Sequence, residues 1–266
     1  MSDDPILTEI DDGLATVTIS RPDVMNALSF DAMQQLRDAL QSVGEDESVR
    51  AVLLQGDPSA GAFSTGADVN ELVMAAGTAD PAELAEQIDV QLHGIVRALV
   101  TMKKPTIAAV DGPAVGAGAN IALAADLTYA SEDAVFGELF AKIGVAVDSG
   151  GSYLLPRLVG MKKAKELAFF GEQVDASEAE EMGMINEAIP AEDYDDRIAE
   201  LASDLASGPT RALAGSKMLL HYGAENGVDD ALEREAWVQA AMFQTEDMEE
   251  GVNAFIQDRE PEFQGK

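Results

Sequence analysis

The sequence predicts an α/β protein that ends in a helical region. Three observations carry this expectation. In roughly the first half of the chain, apolar residues switch between period two and period 3.6, so that strands alternate with helices. Glycine-rich turns join strands to the helices that follow them, and beyond about residue 161 strand patterns become scarce. The expected division is a mixed core over residues 1–205 and a helical C-terminal region over 206–266.

Residues 6–20 alternate polar and apolar on either side of Asp12-Gly13, the pattern of a β-hairpin. Ser29 then caps a helix whose one face carries Phe30, Met33, Leu36, Leu40 and Val43. Ala51–Gln55 is a short buried strand, followed by a small-residue loop over 56–68 and a helix opening near Asp68. Pro81 starts another helix with Leu84, Ile88, Leu92, Ile95 and Leu99 as its stripe. Strand 106–110, a glycine-rich turn, a helix through Ala125 and strand 127–130 repeat the pattern. Met184–Ile189 is the last strand candidate, closed by Pro190. Segments 191–206, 209–222, 229–243 and 246–258 read as helices.

Composition narrows the function classes. With 47% hydrophobic residues the chain can fill a core, which excludes global disorder. Against 49 acidic residues stand 17 basic ones, a net charge of −32. Such a surface repels phosphates, so nucleic acid and anionic membranes are excluded as expected partners. The acids are spread along the chain, the pattern of a folded protein adapted to concentrated salt, where the screening length falls to about 3 Å. No cysteine is present, which removes disulfides, thiol nucleophiles and cysteine-ligated metal. The acidic start without an apolar signal core, and the lack of long apolar runs, make a soluble cytoplasmic protein the expectation.

Two loops could carry chemistry. Gly61-Ala62-Phe63-Ser64-Thr65-Gly66-Ala67-Asp68 and Gly112–Asn120 each follow a strand and open a helix. Small residues let a ligand approach the backbone, and unpaired N–H groups at a helix start favour negative charge. Converging on one carbonyl oxygen they would form an oxyanion hole; equally, small residues permit tight strand–helix packing. Gly116-x-Gly118 lacks the third glycine of a dinucleotide site, because position 121 is isoleucine. Neither a Gly-Lys-Ser/Thr phosphate loop nor a Gly-x-Ser-x-Gly elbow occurs. His93 and His221 have no evident sequence partner and read as structural or exposed, and no metal site is expected.

Taken in order, these segments resemble the enoyl-CoA hydratase/isomerase (crotonase) superfamily. The matching pieces are Arg21–Leu28, Phe63–Val69, Asp111–Asn120, Phe136-Gly137, Ile143-Gly144-Val145, Asp148–Ser152, Leu155–Gly160, Glu250–Phe255 and Phe263–Lys266. The resemblance implies a spiral of ββα units holding a coenzyme A thioester as substrate, with no separate cofactor. It also implies a helical C-terminal region that forms trimers, often dimers of trimers. By the same resemblance the backbone N–H groups of Ala67 and Ala117 hold the thioester oxygen. Met25, Ala27, Leu28, Ala62, Thr65, Gly66 and Asp68 would line the coenzyme path. The loop after Asp68, Val69 to Thr78 with Leu72, Val73 and Met74, would line the acyl pocket together with Val115, Phe136 and Phe140.

The sequence departs from typical hydratases at both catalytic glutamates, which fall at Asn120 and Phe140. Glu138, two residues earlier, is not expected to replace the second, since Phe136-Gly137 and Ile143-Gly144 bracket it without a gap. Asp148 remains, where similar dienoyl-CoA and epoxyphenylacetyl-CoA isomerases and the 4-chlorobenzoyl-CoA dehalogenase carry aspartate. It could also cap a helix beginning at Ser149. Asn120 could orient Asp148, touch substrate, or be a plain helix residue. The expected activity is an acyl-CoA isomerase that shifts a C=C bond or rearranges a ring epoxide through a thioester enolate. The alternatives are an enoyl-CoA hydratase of fatty-acid β-oxidation with atypical acid–base groups and a non-catalytic acyl-CoA-binding subunit. A dehalogenase-type nucleophile lacks support, because the one tryptophan, Trp237, lies in the C-terminal helices.

Overall fold

The computed structural model describes residues 4–75 and 80–266. Strands β1 (Ile6–Asp11) and β2 (Leu14–Ile19) form the expected hairpin, with Asp12 and Gly13 at positive φ in its turn. Helix α1 (Phe30–Glu45) starts at Ser29, whose Oγ accepts from the Ala32 N–H at 3.2 Å, and buries Met33, Leu36, Leu40 and Val43. Strand β3 (Ala51–Gly56) and helix α2 (Val69–Ala75) follow. Helix α3 (Pro81–Gln87), capped by Asp80, runs through a π-turn (Ile88–Leu92) into α4 (His93–Thr101). The apolar stripe is buried at Leu92, Ile95 and Leu99 and only half-buried at Leu84 and Ile88.

Next come strand β4 (Thr106–Val110), strand β5 (Pro113–Val115), helix α5 (Ala117–Leu123), and strands β6 (Leu127–Ser131) and β7 (Val135–Gly137). Helices α6 (Gly151–Leu158) and α7 (Gly160–Phe170), strand β8 (Gln173–Asp175), helix α8 (Ala176–Glu181) and strand β9 (Glu187–Ile189) complete the mixed part. The chain ends in α9 (Tyr194–Ser207), α10 (Thr210–Gly223), α11 (Val228–Met242) and α12 (Glu246–Gln257).

Six strands form one sheet in the order β1-β2-β3-β4-β6-β9, parallel except for the first hairpin; β5-β7-β8 form a second, smaller sheet. All five residues of β4 are buried because the large sheet is covered on both faces. One face meets α1, α4 and α5 in the main core, and the other packs Leu53, Ile107 and Ala109 against Tyr194, Ile198 and Ala202 of α9.

Beyond α9, helix α10 is tied to this body by a buried ion pair and by Arg50, which donates to the Ser207 and Gly208 carbonyls and to Thr210. Lys217 of α10 donates to the Leu99 carbonyl at 2.6 Å and to Asp126 at 2.9 Å; burial pushes its pKa down and Asp126 opposes that. Helix α11 buries none of its residues, and Leu220, Trp237, Phe255 and Ile256 are each at least 72% exposed. Among the described residues no helix is long and apolar enough to cross a membrane.

Candidate active site

A buried asparagine joins the first two functional segments. Asn26 adopts a left-handed backbone (φ 55°), which asparagine tolerates better than most residues. Its Oδ1 accepts from the Arg21 N–H at 2.9 Å, and its Nδ2 donates to the Ala62 carbonyl at 2.8 Å. Ser64 Oγ donates to the Asn26 carbonyl at 2.8 Å and accepts from the Gly66 N–H at 3.2 Å. Leu28 then brackets Ala67: the Leu28 N–H donates to the Gly66 carbonyl at 2.7 Å, and the Leu28 carbonyl accepts from the Asp68 N–H at 2.8 Å. In such a parallel bridge the amide of the bracketed residue faces away from its neighbour, so the Ala67 N–H is turned off Leu28.

The second loop is pressed against the first. A Cβ on Gly118 would stand 2.3 Å from the Ser64 carbonyl oxygen, and one on Gly66 would stand 2.8 Å from the Val115 oxygen and 3.1 Å from the Ala117 nitrogen. Only glycine permits either approach. The Ser64 N–H donates to the Pro113 carbonyl at 3.2 Å and the Val115 N–H to the Ser64 carbonyl at 3.0 Å, which fixes the register. Ala117 opens α5, and the first amides of a helix have no carbonyl within it. The two alanine amides named from the sequence thus belong to loops in backbone contact.

Asn120, one turn further along α5, meets a group of polar side chains from other segments. Asn120 is fully buried, and its Nδ2 donates to the Asp148 carbonyl at 2.9 Å and to Glu138 Oε2 at 3.2 Å. Its Oδ1 makes no hydrogen bond among the described residues. Asn120 is therefore no plain helix residue: it ties the 138 and 148 segments to the second loop. Asp148 Oδ1 accepts from the Ser149 N–H at 2.7 Å and stands 2.5 Å from His93 Nε2. On the other side of the ring, His93 Nδ1 lies 3.3 Å from Asp89 Oδ1, which also takes Arg97 Nη2 at 2.5 Å. The Arg97 hydrogen bond, then His93, holds the Asp89 carboxyl below its usual range.

Several expectations need correction. His93 does have a partner, and the signal was present in the i, i+4 spacing of Asp89, His93 and Arg97. Asp148 is not a helix cap: Ser149 and Gly150 are both left-handed, so α6 begins only at Gly151. Glu138 keeps the place the sequence gives it, two residues before Phe140; it is 2% exposed, and burial lifts its pKa to about 7 against the opposing Asn120 bond. Its cavity, of about 10 Å³, is lined by Ala119, Leu123, Phe136, Leu167, Val174 and Met184. Leu28 and Phe136 are fully packed core side chains, so neither presents its side chain to a ligand. Asp68 is engaged by Arg21 at 3.5 Å and by the Asn70 N–H at 3.0 Å, and so holds the loop.

The remaining lining residues fit an open approach. Met25 is 45% exposed, Thr65 and Leu72 are half-buried, and Met74 is 75% exposed. Ala27, Ala62 and Val115 are buried at the loop bases, and the half-buried Phe140 sits beside the Gly116 turn. Val69–Ala75 is helical, and the rest of the expected acyl segment, 76–78, lies outside the described residues. Among the described residues no three His, Cys, Asp or Glu side chains are grouped to hold a metal ion.

A two-sheet α/β body with paired small-residue loops and a helical tail defines the crotonase class of fold. The chain belongs to the enoyl-CoA hydratase/isomerase family, whose model matches residues 9–266. It is 39% identical over 266 residues, all of both chains, to a "Probable enoyl-CoA hydratase" of Rhodobacter capsulatus. It is 35% identical over 261 residues, 98% of each chain, to the 1,2-epoxyphenylacetyl-CoA isomerase of Escherichia coli. A solved structure from Streptomyces coelicolor A3(2), of a protein named for hydratase activity, superimposes with a TM-score of 0.93 at 39% identity, covering 99% of this chain and 95% of that one.

Proposed function

We propose that the protein is an acyl-CoA isomerase that moves a C=C bond, or rearranges a ring epoxide, through a thioester enolate. The observation that carries this reading is the Asp148–His93 pair, joined through Asn120 to the loop of Ala117, while asparagine and phenylalanine occupy positions 120 and 140. The Ala67 and Ala117 amides hold the thioester oxygen and stabilise the negative charge that forms there; each such donor contributes about 3 kcal/mol. Asp148 takes a proton from one carbon of the acyl chain, the C–H electron pair delocalises onto the thioester oxygen, and the same proton returns at another carbon. His93 fixes the carboxylate that does this.

The coenzyme follows Met25, Ala27 and Thr65, with Ala62, Gly66 and Leu28 contributing main chain. Leu72, Met74, Val115 and Phe140 line the acyl end. The substrate is an acyl-CoA, with no added cofactor, metal or nucleic acid. Residues 1–205 carry the site. The exposed Leu220, Trp237, Phe255 and Ile256 support 206–266 as the surface of a homotrimer or dimer of trimers, checked by analytical ultracentrifugation.

A second reading, an enoyl-CoA hydratase of unusual acid–base groups, is favoured by the buried Glu138 carboxyl titrating at about 7. The deciding experiment supplies a 3-enoyl-CoA and a 2-enoyl-CoA separately, in heavy water and molar KCl, to the native protein and to Asp148→Asn. Double-bond shift lost in the variant supports the isomerase. Hydration of the 2-enoyl-CoA with the variant unaffected overturns it. Binding with neither turnover nor deuterium uptake, on these and on an aromatic epoxide thioester, identifies a non-catalytic binder.

A further inference from the structure

Glu138 has no role in the reaction just described, yet it is among the most thoroughly enclosed carboxyls in the chain. Among the described residues, the one hydrogen bond its carboxylate accepts is from Asn120 Nδ2 at 3.2 Å. Around it α5 brings Ala119 and Leu123, β7 Phe136, α7 Leu167 and β8 Val174, with Met184 beyond; none of these titrates. Lys142, in the 3-10 turn that Glu138 opens, is exposed, and on the site side, across Asn120, stand the titratable side chains of Asp148 and His93. A purely structural residue in such a pocket would be apolar, because one neutral donor does not replace the hydration a carboxylate loses.

The same Asn120 nitrogen that meets Glu138 also donates to the Asp148 carbonyl at 2.9 Å. Asn120 Oδ1, fully buried, has no donor among the described residues. The two faces of this amide match the two states of a carboxyl group. Ionised, Glu138 can only accept, from Nδ2; protonated, it still accepts there through its carbonyl oxygen and adds the O–H donor that Oδ1 lacks, so the two groups close into a ring of two hydrogen bonds that competes with the bond from Nδ2 to the Asp148 carbonyl. A side chain that reaches both the buried acid and the Asp148 main chain converts the state of the first into a displacement of the second.

We propose that Glu138 is a positioning residue: acting through the Asn120 amide, it sets the Asp148 main chain and with it the alignment of the Asp148–His93 pair against bound substrate. This rests on the reading of Asp148 as the acid–base group. In the structure Asn120 Oδ1 receives no donor, the arrangement of an ionised Glu138, so the ionised form is the aligned one.

The test uses the full-length protein, native and with Glu138→Gln, Glu138→Leu and Asp148→Asn. Glutamine offers Asn120 both an acceptor and an N–H donor, as the protonated acid does, and cannot titrate. In the native protein kcat is expected to rise through a pH near 7. In Glu138→Gln that inflection disappears, and kcat stays at every pH near the low value that the native protein shows below it. Glu138→Leu lowers kcat by about tenfold or more at every pH, with KM changed less than about twofold. An unchanged pH profile in Glu138→Gln overturns the proposal, and does so even where the leucine variant fails to fold.

A readout independent of turnover separates this proposal from the proposed function. The chain has two histidines, His93 and His221, so carbon-13 labelling at Cε1 gives two signals. Glu138→Gln is expected to move the His93 signal and alter its pH dependence while leaving His221 in place. A His93 signal indifferent to the substitution overturns the coupling. If instead Asp148→Asn turns over like the native protein, the functional reading fails, and the histidine signals alone decide whether Glu138 reaches the pair.

Discussion

His93 Nε2 and Asp148 Oδ1 meet at 2.5 Å across 55 residues of sequence. The contact depends on two local irregularities: the π-turn at Ile88–Leu92, which sets where His93 emerges from its helix, and the left-handed Ser149 and Gly150, which delay α6 and leave Asp148 in the preceding loop. Such bulges recur at functional sites because they re-aim a side chain without breaking the helix.

The pair makes the first prediction. Asp148→Asn keeps the size of the side chain but cannot accept a proton from carbon, so isomerisation should fall by about 10²–10⁴. His93→Gln, which preserves one hydrogen bond to Asp148, should cost less, about tenfold, and mainly in kcat. Steady-state kinetics on a 3-enoyl-CoA measures both. Equal losses in the two variants would mean that His93 does more than hold the carboxylate.

Burial of Glu138 predicts a cost in stability with a definite sign. Its carboxyl ionises at about 7 in the folded chain and at its ordinary 4.5 when unfolded. Below the lower value it is neutral in both states and costs nothing. Between the two, the unfolded chain gives up the proton first, so native stability falls as pH rises. Above the upper value the whole penalty applies, roughly 3 kcal/mol. Glu138→Gln should therefore match the native protein near pH 4 and exceed it by about that amount near pH 8. Denaturant titrations at the two pH values check this; a difference that does not change with pH would refute it.

The contact between the two loops predicts which small changes are not tolerated. Gly118→Ala places a methyl 2.3 Å from the Ser64 carbonyl oxygen and must push the loops apart. Activity should drop by about 10²-fold or more, as when an oxyanion donor is lost. Asn26→Ala leaves the Arg21 N–H and the Ala62 carbonyl without their partner, and should lower stability by about 1–3 kcal/mol. Gly61→Ala is the contrast: no atom lies within 4 Å of its added Cβ, although its φ of 60° still disfavours alanine. Circular dichroism melts alongside kinetics would separate the three.

Much of this was legible in the sequence because it is local. Ser29 and the apolar face from Met33 to Val43 place the start and buried side of α1, and alternation around Asp12-Gly13 gives the first hairpin. Strands β5, β7 and β8 escaped because three residues are too few to show a period. The site divides in the same way. The Ala67 and Ala117 loops announce themselves by their small residues. The partnership of His93 with Asp148 depends on tertiary packing, although Asp89, His93 and Arg97 already shared a helix face. The environment of Glu138 is not legible locally, because the apolar walls from Phe136, Leu167 and Val174 that perturb it come from three separate elements.

The acidic surface yields the last prediction. Helix α11 buries none of its residues and opens with Asp229 and Asp230; α12 opens with Glu246, Asp247 and Glu249. In this region Arg259 grips the half-buried Glu250 through both guanidinium Nη groups, but one such pair offsets little of a net charge of −32. At 0.1 M salt the screening length is about 10 Å, long enough for neighbouring helices to repel; at 1 M it is about 3 Å. Raising KCl across that range should therefore raise the melting temperature by several degrees, with NaCl acting alike because the effect is screening. The buried Lys217–Asp126 pair is little exposed to added ions, so Lys217→Met should shift the whole curve without changing its slope. A melting temperature that is flat or falls with salt would show that the acids are already offset within the fold.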